Sequence, residues 1–184
     1  MGARTQEYVN ANKTAFANVD MKTGNFEVDK VTYPQIDGKF RGFSVSEFQH
    51  EGRLIKKFVI HLEDDRNYQI AIGRYSYLTL SVLNSFKNTA DLQYDDIIAL
   101  SAKKSKDDKF SIFVNQNGDP IKWKASFEDL KLTKQANGAK EALRDKIIDK
   151  WINDFIASHP FQQKAIIVTD PETGEVLEDD SIDF

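Results

Sequence analysis

Lys122-Trp123-Lys124 sets an indole between two ammonium groups, and similar mixtures recur along the chain. On an extended strand such a ring can stack on a nucleobase while the flanking cations approach phosphates. Read with strict alternation, Lys39, Arg41 and Phe43 share one strand face, with Phe40 and Phe48 on the other. A second run places Lys57, Val59 and His61 opposite the apolar set Phe58, Ile60 and Leu62. A third ends in Arg74, Tyr75 and Tyr77, and a fourth in Lys103, Lys104 and Lys106. Taken together, these residues describe a basic, aromatic outer surface. Outward rings are costly unless they meet something.

Other chemistries find less material. Nucleophilic catalysis needs a Ser, Thr or Cys beside an oriented base. The chain offers only His50, His61 and His159, no cysteine, and none of the glycine-rich or nucleophile-elbow motifs. Three acidic clusters, Glu63-Asp64-Asp65, Asp95-Asp96 and Asp107-Asp108, fall where strands should end. Solvated turns explain them. A metal-dependent nuclease would need them to converge on one cation. No cofactor or metal is expected, and disulfides are excluded.

The elements that must carry these residues follow from hydrophobic period. Residues 1–35 form an extension, with a hairpin signal at Lys22-Thr23-Gly24-Asn25. From Ile36 three alternating runs follow at short spacing, KFRGFSVSEF, RLIKKFVIHLE and YQIAIGRY, as in an antiparallel meander. Gly42 stands where a long strand would bend or bulge. SYLTLSVLNSFKN then changes to helical spacing through Leu78, Val82, Leu83 and Phe86, with Ser76 as its cap. Strands resume with YDDIIALSAKKS and KFSIFVNQ, and IKWKASF extends the sheet. A long helix over about 139–159 has the stripe Ile147, Ile148, Trp151, Ile152 and Phe155. That stripe packs on its own barrel or on a second subunit; oligomeric state stays open.

Three strands, a helix and two strands is the order of the OB-fold, a five-stranded Greek-key barrel. The fold expected is thus mainly β, with that barrel and the added C-terminal helix spanning residues 36–169, and a disordered tail over 170–184. The tail holds seven acids and no base, so the remaining 22 acids face all 25 bases and the body carries +3. A basic body with an acidic tail suits a polyanion-binding surface plus a separate tail function. No apolar run reaches the roughly 18 residues of a membrane helix. The polar start implies a cytoplasmic compartment.

A barrel with this order, basic and aromatic outer positions, and an acidic tip ending in Phe resembles the single-stranded DNA-binding proteins. Bacterial members end in Pro-Phe after acids, whereas this tip carries Asp179, Asp180, Ile182, Asp183 and Phe184. With Asp183 in place of Pro, the pattern is more similar to bacteriophage members. The resemblance implies a non-catalytic role, coating single-stranded DNA in replication, recombination and repair in a host cytoplasm. It further implies that the tip recruits replication proteins such as polymerase, primase or helicase. The DNA-binding set would be Lys39, Arg41, Phe43, Lys57, His61, Arg74, Tyr75, Tyr77, Lys103, Lys104, Lys122, Trp123 and Lys124. The alternatives are a phage structural or protein-interaction barrel that ignores oligonucleotides, and the metal-dependent nuclease.

Overall fold

The computed structural model describes residues 14–20, 22–89, 91–104, 109–132 and 136–162, and the two-residue strands 168–169 and 176–177. The acidic tip and Lys106 lie outside the described residues. Alternation builds most of the chain. In β1 (Ala15–Val19) the small Ala15 and Ala17 point into the core and Phe16 points out. β2 (Phe26–Val28) folds back on it through the Lys22–Asn25 turn. β3 (Val31–Tyr33) continues the meander. Then come β4 (Gln35–His50), β5 (Arg53–Glu63) and β6 (Asn67–Gly73). Glu51 and Gly52 join β4 to β5 with φ of 50° and 75°, the two left-handed residues of a tight hairpin turn.

α1 (Tyr77–Phe86) starts at Ser76, whose side chain accepts the Thr79 N–H. β7 (Ile97–Lys104), β8 (Phe110–Gln116) and β9 (Asp119–Ile121) follow, then α2 (Asn137–Ser158). β10 (Val168–Thr169) and β11 (Val176–Leu177) pair with each other. Among the described residues β1 to β9 form one mixed sheet, in the order β3-β2-β1-β6-β5-β4-β7-β8-β9. Only β1 with β6 is parallel.

Two features correct the five-strand barrel. The N-terminal strands belong to the same sheet and core, with Ala15, Ala17, Phe26 and Val28 all buried. And β6 does not pair with β8, so the barrel is not closed. β1 takes the edge of β6, while α1 covers β8, where the Ile112 N–H donates to Ser81 Oγ at 2.9 Å. That one side chain blunts an edge that would otherwise seek a strand.

The helix pays for its burial with complete pairing. Thr79 donates to the Gly73 carbonyl, Ser85 to that of Ser81, and Asn84 both donates to and accepts from Ala125. The core around it is aromatic: Phe40, Phe43, Phe58, Phe86 and Phe155 pack with several ring centroids 4.8–6.3 Å apart. Trp151 is half-buried and packs against that core within its own chain. No helix among the described residues is long and apolar enough to cross a membrane.

A bulge between Phe40 and Gly42 resets β4. Phe40 faces Leu62 on the inner side, and after the extra residue Phe43 faces Ile60, also inside. Every later residue of β4 is shifted by one, which carries Phe48 to the outer face.

Candidate nucleic-acid interface

The bulge decides which side chains share the outer face. On β4 these are Lys39, Arg41, Ser44, Ser46 and Phe48; on β5, Lys57, Val59, His61 and Glu63; on β6, Asn67, Gln69 and Ala71; on β1, Phe16 and Asn18. Phe16 is 62% exposed and Phe48 is 44% exposed. Lys57 Nζ lies 5.5 Å over the Phe48 ring and donates to Asn18 Oδ1 at 3.2 Å. Along the β7–β8 half, Lys103 sits 5.5 Å over the exposed Phe113 ring, and Lys39 stands opposite Ile97. Two rings that water reaches, each beneath an ammonium, thus lie on the outer side of one sheet, where Val59 and His61 are buried.

Several residues expected at the interface sit elsewhere. Phe43 is 1% exposed and belongs to the core, because the bulge turns it inward. His61 faces outward but is 5% exposed, since the segment after α2 runs across it. Phe161 stacks on its ring at 3.7 Å and 15°. That strap pairs with β4: Phe43 N–H donates to His159 O, Phe161 N–H to Phe43 O, and Gln162 N–H to Arg41 O. Gly42 makes room for it; a Cβ there would stand 2.5 Å from Pro160 O. Arg41 is bound by Glu63 and, at 2.8 Å, by Asp95, so its charge is already matched.

Arg74, Tyr75 and Tyr77 face α2 rather than the sheet surface. Arg74 pairs with Asp149 at 3.0 Å, and the Tyr75 hydroxyl donates to the same carboxylate. Tyr77 lies under Arg144 and Lys140 and beside Phe127. Trp123 follows β9 instead of lying within a strand, and stacks on Phe127 at 5.4 Å. Lys122 and Lys124 beside it are exposed. Lys104 lies over Phe110. The expected set therefore divides into a sheet-surface group, Lys39, Lys57 and Lys103, and a helix-side group around Trp123.

Phe16 and Phe48 escaped the sequence reading for different reasons. Phe16 belongs to a strand too short to show its period, although the small–large–small order of AFA marks its face. Phe48 was hidden by a one-residue slip. Asp95 and Asp96 serve structure here, while Asp107 and Asp108 lie outside the described residues. Asp95 holds Arg41, and Asp96 accepts from Gln93 N, Gln116 Nε2 and Asn117 Nδ2 at 2.8–2.9 Å. No group of three acidic or histidine side chains suited to a metal occurs among the described residues.

Comparison with protein-family models, curated proteins and solved structures returned no match.

Burial lowers the His61 pKa from 6.5 to about 4. The unfolded chain takes up this proton near pH 6.5 and the folded chain only near pH 4. The contribution is therefore complete above about pH 6.5 and is lost as pH falls toward 4. Between about pH 7 and about pH 5 urea unfolding should show a loss of about 2 kcal/mol from this residue. A His61→Asn variant should lack that component; an unchanged pH profile would place the neutral imidazole outside the stability balance.

Proposed function

We propose that this protein binds single-stranded DNA without catalysis, laying the strand over the outer face of β1, β6, β5, β4 and β7. The observation that carries the reading is the Lys57–Phe48 pair with Phe16 on the same face. Stacking on such rings contributes about 1–3 kcal/mol per base and tolerates any base, while ammonium groups meet phosphates. By register, Phe48 and Phe16 are six residues apart along β5 and three strands apart across it. That is about 25 Å along the sheet, with the buried Val59 and His61 on the line between them.

The strand order supports the same reading. β6-β5-β4-β7-β8, with α1 between β6 and β7, follows OB-fold strands three, two, one, four and five. OB-folds bind oligonucleotides on the face of strands two and three, which are β5 and β6 here. The missing closure is compatible with a partly open barrel whose gap α1 fills.

Fluorescence anisotropy of a labelled oligo-dT, titrated at several salt concentrations, tests the proposal. With Lys39, Lys57 and Lys103 at the phosphates, log K should fall with log salt at a slope of about −2. The acidic tip would recruit replication proteins and take no part in gripping DNA. Removing residues 170–184 should leave oligo-dT binding intact and abolish capture of a replication partner; loss of DNA binding would contradict this division of labour.

A further inference from the structure

A cleft of about 120 Å³ opens on the outer face at the end of the path just described, lined by Thr14, Arg41, His61, Asn67, Gln69 and Phe161 among others. Its walls are planar: the stacked His61 and Phe161 rings, and an Arg41 guanidinium fixed by Glu63 and Asp95. Because both carboxylates already match that cation, the cleft offers little net attraction to phosphate. Its remaining polar groups are neutral. Asn67 and Gln69 stand two residues apart on β6, hence on one face, and each carboxamide carries both donors and an acceptor. Among the described residues neither carboxamide has a side-chain hydrogen bond, and Thr14 lines the same space. In the ladder Gln69 lies directly between Phe16 and His61.

A neutral, flat site with paired donors and acceptors fits a flat, neutral ligand with a donor–acceptor edge. We propose that the cleft accepts one unstacked nucleobase, whose edge Asn67 and Gln69 read. The inference rests on strand binding as its source of bases, but adds a base preference that stacking alone would not give. Carboxamides read base edges in this way, and a bidentate pair discriminates by a factor of about five or more.

The test compares short dT, dC and dA oligomers on the full chain and on an Asn67→Leu/Gln69→Leu variant, whose changes lie on a strand's outer face. Wild-type affinities should differ by about fivefold or more among the three, and the variant should bring them within about twofold. Equal wild-type affinities, or ratios unchanged in the variant, would overturn the base-reading cleft while leaving strand binding in place. If no oligomer binds, strand binding fails separately, and mononucleotides decide the cleft. Shifts of the Asn67 and Gln69 side-chain amide resonances with dTMP, dCMP or dAMP would support it as a site for free nucleotides; their absence would overturn it.

Discussion

Replacing Phe16 and Phe48 together by Ala should weaken oligo-dT binding at least about thirtyfold, from about 1–3 kcal/mol for each stacked base. Both residues are exposed and outside the core, so the folded state loses little when they go. Thermal unfolding of the double variant should match the wild type, which separates a binding effect from a folding effect. Lys57 tightens the forecast. It touches Phe48 and is anchored to Asn18, so Lys57→Ala should reduce both affinity and the salt slope. A Phe16→Ala/Phe48→Ala protein that bound oligo-dT as well as the parent would move the interface off this face. The Trp123 group, with Lys122 and Lys124, would then be the next surface to alter.

The second large effect concerns folding. Gly42 has φ of 116° and faces Pro160 O so closely that a Cβ would sit 2.5 Å from it. Gly42→Ala thus combines backbone strain with a clash against a strap hydrogen-bonded on both sides of the bulge. Each term costs about 1–3 kcal/mol, and together about 3–5 kcal/mol. For a chain this size that is a fall in melting temperature of about 10 °C. Gly73→Ala is the control: its Cβ would meet nothing within 4 Å. Calorimetry showing Gly42→Ala no less stable than Gly73→Ala would refute the tight seating of the strap. The displaced strap should also uncover His61, returning its pKa toward 6.5.

The same residues show where sequence reading succeeds and where it stops. The succession of three strands, helix and two strands was legible because each run keeps its own period, and Ser76 caps the helix as its type requires. Gly42 marked the bulge, but glycine does not say whether a strand bends or slips. One extra residue exchanged Phe43 for Phe48, and no local pattern reports that. His61 looked like a solvated strand residue because Phe161, which covers it, is one hundred positions away. The parallel seat of β1 on β6 is likewise a long-range pairing. One side of α1 is polar, with Thr79, Ser81, Asn84 and Ser85. Of these, Asn84 clamps the loop after β9 and Ser81 caps the edge of β8.

The central claim is that the outer sheet face holds single-stranded DNA. The most direct test is anisotropy of labelled oligo-dT with the full chain, at low and at raised salt. Saturable binding that weakens with a salt slope of about −2 is the result expected. No change in anisotropy at low salt, with protein raised to about a hundred micromolar, well into the range of even non-specific nucleic-acid binding, would contradict it.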